Sequence, residues 1–233
     1  MEKLFRRDIL KAVTFSYDDG VTPDIRLVEL MNRYGIKATF NLCSALLGRP
    51  IELAEDGRII THGKVAPEQV RELYAGHEVA VHTLTHPHIA SLPEDEILRQ
   101  VEEDRLALEA LVGYPVVGMA YPYGEHIGVA EVLAGKTPIR YARTVSCNGL
   151  FDEQTDLWHF RPTAFHLHFD QLMELGERFL ALQPTEPQIF YIWGHSYELD
   201  NDPANWERLE RFFDLIAGRE DIFYGTNRDV LLS

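Results

Sequence analysis

This sequence has little with which to brace a fold covalently or enter a membrane. Only two cysteines occur among 233 residues, Cys43 and Cys147. Neither belongs to a CxxC pair, and both read as reduced thiols packed near the core. No run approaches the roughly 18 apolar residues of a membrane span. The opening stretch MEKLFRRDILKAVTF is charged throughout and lacks the apolar core of a signal peptide, so the chain reads as cytoplasmic. Basic residues are few: 22 Lys and Arg stand against 37 Asp and Glu, for a net charge of -15. Such a surface repels phosphate backbones and anionic membranes, which excludes both as partners and favours a neutral or cationic substrate. No glycine-rich nucleotide fingerprint follows any strand-like run, which argues against a dinucleotide-binding sheet. Repeats, low-complexity tracts and linkers are absent too, and residues 1–233 read as a single catalytic domain.

What is present is an ordinary hydrophobic share, 45%, enough to bury a core without disulfides or structural metal. Any bound metal would then serve chemistry. Strand-like runs at 11–16, 36–42, 78–81, 116–120, 140–145 and 189–193 alternate with helical stripes. Thr22 is expected to cap a helix with Pro23 in its first turn and Gly35 at its end. A short helix should open at Pro67 and stop at Gly76, another should occupy 93–112, and a last one should start at Asp202–Pro203 with Trp206, Leu209, Phe213 and Ile216 on one face. Residues 51–64 suggest a hairpin or loop insertion, and 149–163 mix loop with strand. Alternation of this kind implies a parallel α/β sheet, and about seven units suggest closure into a barrel, with an open doubly wound sheet as the alternative.

Polar residues collect where the strands end. Asp18 and Asp19 follow the first strand, His82 and His86 the third, Tyr121 to Gly124 the fourth, and His195 the last long one. In a parallel barrel these ends share one mouth, where active sites assemble. Histidines at i and i+4 can grip a single divalent ion from one side of a helical turn, and Pro87 limits that helix to one turn. A carboxylate from a neighbouring strand end would complete a His2Asp set, a common catalytic metal arrangement.

Four motifs in order resemble those of the polysaccharide deacetylase family (NodB-homology domain, carbohydrate esterase family 4): TFSYDDG, HTLTHP, AYPYG and the strand ending in WGH. The resemblance runs from about residue 11 to 195. It implies a distorted (β/α)7 barrel of the NodB-homology type. It also implies a metal-dependent hydrolase that removes an N-acetyl or related amide group from a carbohydrate-like substrate. Asp19, His82 and His86 would hold a divalent ion, most often Zn2+ and sometimes Co2+ or Ni2+. Asp18 would be the general base, His195 the general acid, and the backbone N–H of Tyr123 would line the oxyanion hole. One alternative is an allantoinase-like relative cutting a small non-sugar amide with the same site. Another is a barrel that binds carbohydrate without catalysis, against which the presence of all five core residues argues.

The sequence also departs from the family pattern. Ala120 stands where the third motif usually has an arginine, Asn41 replaces an aromatic residue, and the fourth motif, which orients the catalytic histidine, is unrecognisable near WHFRPTAFH. A cation should still keep Asp18 ionised. Arg161 is the favoured candidate, with Phe160 and Pro162 seating its strand so that its side chain enters the mouth; Arg143 is the other.

Overall fold

The computed structural model describes residues 5–55 and 58–233, with backbone only for 51–61 of that range. The central strand β1 (Lys11–Asp18) is buried along its whole length, as expected of a strand covered on both faces of a parallel sheet. After it come α1 (Asp24–Tyr34), β2 (Ala38–Leu42) and an antiparallel hairpin of β3 (Pro50–Glu55) and β4 (Arg58–Gly63). The chain continues through α2 (Val70–Leu73), β5 (Glu78–Val81), α3 (Glu94–Val112), β6 (Gly118–Ala120), α4 (Val129–Leu133) and β7 (Tyr141–Arg143). The last third holds β8 (Ala164–Phe165), α5 (Phe169–Ala181), β9 (Gln188–Gly194), α6 (Ala204–Ile216), β10 (Ile222–Tyr224) and α7 (Asn227–Leu231).

The main sheet is parallel, in the order β7-β6-β5-β2-β1-β9-β8. Its two ends meet through residues 160–165. Phe160 bridges Arg143 on β7, giving its N–H to Ala142 O at 3.1 Å and taking that of Thr144 at 2.9 Å. Four residues on, Ala164 pairs with Ile192 of β9. The sheet thereby curls into the distorted (β/α)7 barrel. β10 lies outside this ring, sharing the lower half of one β1 edge while β2 takes the upper half.

Helices coat the barrel with their apolar faces. α6 buries Trp206, Leu209, Phe212, Phe213 and Ile216, and the last two phenylalanines meet Phe15 of β1 edge-on at 6.4 and 5.4 Å. Each ring so buried contributes about 1.5–3 kcal/mol. Gly35 ends α1 in the left-handed region, giving its N–H to Asn32 O at 3.2 Å.

The entry to α1 differs from expectation. Pro23 occupies the cap with no side-chain hydrogen bond. The backbone just before it is drawn into pairing with the hairpin: Thr22 N–H binds Gly63 O at 2.8 Å, and Val21 bridges Lys64. The insertion at 51–64 is thus a hairpin stitched to the end of β1, while its turn residue Gly57 lies outside the described residues. Helix α5, to which the sequence reading assigns nothing, packs Leu172, Leu175 and Phe179 inward. It has no side-chain cap, so the usual start signal is missing. Among the described residues, no helix is long and apolar enough to cross a membrane.

Candidate metal centre and active site

The C-terminal strand ends converge on a cavity of about 450 Å3, whose polar wall includes Asp18, Asp19, Lys64, His82, His86 and His195. The backbone around it is strained. Five described non-glycine residues have positive φ, and four of them, Asp19 (84°), Thr83 (66°), His86 (57°) and Tyr123 (56°), surround this mouth. Each costs on the order of 1–3 kcal/mol, an expense that structures sustain mainly where function requires it.

That strain corrects one expectation. His82 and His86 do not sit on a helical turn. The chain leaves β5 at His82, reverses through the left-handed Thr83, and is pinned by a hydrogen bond from His86 N–H to Thr83 Oγ1 at 3.1 Å. The loop still brings the two rings to 4.8 Å. One ligand atom each from Asp19, His82 and His86 lies within 4.8 Å of the others.

The donor set fits a divalent ion of the zinc kind: two imidazole nitrogens and one carboxylate oxygen. His82 Nδ1 stands 2.8 Å from Ala120 O. Donation of its proton there leaves the Nε2 lone pair facing the cavity, the usual way a ligand ring is oriented. Burial lowers the pKa of both rings, His86 to about 4, so both are neutral and able to ligate. Burial would raise Asp19, but Lys64 and the surrounding imidazoles hold it well below the usual range. Behind the site, the buried carboxyl of Asp104 accepts Ser44 N–H at 2.6 Å and His82 N–H at 3.2 Å.

Asp18 meets Arg143, not Arg161. The Arg143 guanidinium donates to both Asp18 oxygens, to Ser16 Oγ at 3.2 Å and to Thr144 O at 3.1 Å. Burial pushes Asp18 up, yet Arg143, with His82 and His195, outweighs it and the carboxyl ends below its ordinary value. Strand alternation explains the outcome. Tyr141 and Arg143 are both fully buried on β7, and Phe160 is buried against Tyr191, which turns its neighbour Arg161 outward. Arg161 is exposed, with Nε on Ser146 O at 3.2 Å. Asn41 is a further partner of Asp18, its Nδ2 lying 2.8 Å from Oδ1. Register places it there, since Asn41 is the β2 residue paired with Asp18.

His195 directly follows β9, with Nε2 4.0 Å from Asp18 and 3.9 Å from Asp19. Its orienting carboxylate is Glu198, 3.2 Å from Nδ1 and also accepting the His195 N–H at 2.9 Å. Glu198 is held in turn by buried His166 at 2.8 Å, whose other nitrogen faces Tyr17 OH at 3.3 Å. Burial alone would lower His195, but Glu198, Asp19 and Asp18 raise it to about 9. Gly194 is required by this packing, because a Cβ there would overlap the His166 ring. The sequence reading misses Glu198 and His166; the signal available was a glutamate three residues after a strand-end histidine. Tyr123 stands at the lip, its ring stacked on His88 at 4.3 Å and edge-on to His86 at 4.6 Å.

Comparison with known proteins is decisive at the level of family. The family model for polysaccharide deacetylases matches residues 7–142, more than half of the chain. The chain belongs to the polysaccharide deacetylase family. Among curated members, it is 32% identical over 117 residues to a peptidoglycan-N-acetylglucosamine deacetylase of Bacillus cereus, covering 48% of this chain and 36% of that protein. It is 25% identical over 149 residues to chitin deacetylase 1 of Cryptococcus neoformans, covering 62% and 28%. The matched region thus spans about a third of these relatives' length. Two solved structures share the fold across nearly the whole chain. A family 4 carbohydrate esterase from Streptomyces lividans, in complex with acetate, superposes with a TM-score of 0.57 at 17% identity, covering 93% of each chain. Puue allantoinase gives 0.71 at 13% identity, covering 98% of this chain and 91% of that one.

Proposed function

We propose that this polysaccharide deacetylase family member, acting as one catalytic domain, is a metal-dependent hydrolase of an N-acetyl or related amide on a carbohydrate-like substrate. The observation that carries the reading is the Asp19, His82 and His86 cluster set beside an Asp18 held ionised by a buried arginine. A zinc ion held by those three side chains would polarise the amide carbonyl and acidify the attacking water. Cobalt or nickel would serve the same donor set.

The side chains then divide the proton work. Asp18, ionised through the neutral range and fixed by Arg143 and Asn41, takes a proton from the attacking water. The developing oxyanion accepts the Tyr123 N–H, a role worth about 3 kcal/mol. His195, whose pKa Glu198 and the two aspartates raise to about 9 in the metal-free site, is aimed by Glu198 and gives a proton to the departing nitrogen. Amine leaving groups need that proton. The test is hydrolysis of a panel of N-acetyl sugars and cyclic amides by zinc-loaded protein. Asp18→Asn should keep the metal and lose turnover, and His195→Ala should impair amides more than activated esters. Absence of turnover across the panel by protein shown to hold zinc would refute the reading.

A further inference from the structure

Lys64 is the charged side chain of the cavity wall that the proposed reaction does not use. It leaves the hairpin at the end of β4 and is fixed by its bridge to Val21 and by its N–H on Arg49 O at 2.8 Å. Its side chain is 2% exposed. Nζ donates to the backbone oxygen of Asp19 at 2.6 Å and lies 3.1 Å from Asp19 Oδ1. An ammonium has three N–H groups. Among the described residues, Asp19 answers two of them, and Lys64 lines the same cavity as the catalytic groups. Burying an ammonium costs several kcal/mol, so this is an expensive place for a residue that only fills space.

The charges make the point sharper. The two adjacent carboxylates, Asp18 and Asp19, are already matched by two permanent cations, Arg143 and Lys64. A divalent ion held by Asp19, His82 and His86 therefore enters a balanced site, and its two positive charges stay uncompensated until a ligand arrives. The acidic exterior does not offset this, because surface charges more than about 8 Å away are largely screened at physiological salt, whereas buried ones are screened much less.

Resting on the hydrolase reading above, we infer that the substrate carries a carboxylate next to its amide and that Lys64 selects it. This replaces the neutral or cationic substrate that net charge alone suggests. An acidic N-acyl sugar and a small N-acyl acid share the required chemistry.

The test uses zinc-loaded protein with Asp18 intact, measures binding by calorimetry at low temperature, and follows amine release so that any turnover during the titration is seen. Two pairs of ligands differ only in the acid: N-acetylmuramic acid against N-acetylglucosamine, and N-acetylglycine against N-acetylglycinamide. The acid of at least one pair should bind about tenfold more tightly than its neutral partner, and the pair that responds identifies sugar or small acid. Adding Lys64→Met or Lys64→Gln should bring that ratio close to one. The glutamine retains a donor for Asp19 O without the charge, and thermal melting verifies that each variant is folded. Equal affinities, no binding by either acid, or a preference that survives both substitutions would overturn the inference. Zinc content is measured first, so loss of the metal site, which would sink the hydrolase reading itself, is seen separately.

Discussion

The mouth and the floor of the barrel both bury polar groups, but they do so in opposite ways. At the floor, α7 plugs the ring. Asn227 accepts from Thr14 Oγ1 at 2.9 Å, donates to Tyr191 OH at 2.6 Å, and gives its N–H to Thr39 Oγ1 at 2.9 Å. Thr39 Oγ1 donates to Glu78 at 2.7 Å, which also accepts the Arg228 N–H at 2.9 Å. Apart from Glu78, whose carboxyl burial pushes upward, this network is neutral and its backbone is unstrained. At the mouth, full charges are paired across strands, the backbone is strained at four residues, and ligand atoms converge without bonding one another. A closed hydrogen-bond network holds shape. An array of paired charges around a cavity stores electrostatic potential for something that is to bind.

The largest effect that separates the two regions should come from the histidines. His86→Ala or His82→Ala should abolish tight zinc binding and cut hydrolysis by about a thousandfold, equivalent to ~4 kcal/mol of transition-state stabilisation. Metal analysis and kinetics on folded protein measure this, and retained zinc would contradict the ligand assignment. Next comes Arg143→Met, which strands a buried Asp18 and should cost about 3–5 kcal/mol in urea unfolding together with most activity. Arg161→Met should stay within about 0.5 kcal/mol.

The floor gives the converse result. Asn227→Ala should lose about 1–3 kcal/mol of stability by leaving Thr14 and Tyr191 with a missing partner, while kcat/KM stays within about twofold. A kinetic defect larger than the stability loss would show that the floor is part of the site. The smallest effect is a pH window in the zinc-free protein. His195 is raised in the folded state to about 9 from an ordinary value near 6.5. Its stabilising contribution is therefore complete below about 6.5 and disappears as pH rises through about 9. Glu198→Gln should narrow that window, which urea midpoints between pH 6 and 10 and the imidazole NMR titration would reveal.

The parts of the molecule legible in sequence are those written locally. Strand ends marked by TFSYDDG, HTLTHP and WGH located Asp18, Asp19, His82, His86 and His195, and the seven-fold alternation pointed to the barrel. Thr22 misled because the first N–H groups of the helix go to backbone carbonyls, Asp24's to Val21 O and Ile25's to Thr22 O, and not to its side chain. The hairpin meanwhile holds the backbone at 21–22, a contact no local pattern records. Arg161 misled because the direction of a side chain on an irregular segment depends on which neighbour enters the core, and here that neighbour is Phe160.

By itself the sequence determined the donor types, their order along the chain and the strands that carry them, because each depends on residues a few positions apart. Only the tertiary structure decided which cation meets which carboxylate. Asp18 and Arg143 are 125 residues apart, Asp19 and Lys64 are joined through an inserted hairpin, and His166 reaches Glu198 across 32 residues. Such pairings are set by strand register and ring closure, which convert distance along the chain into neighbourhood across the barrel.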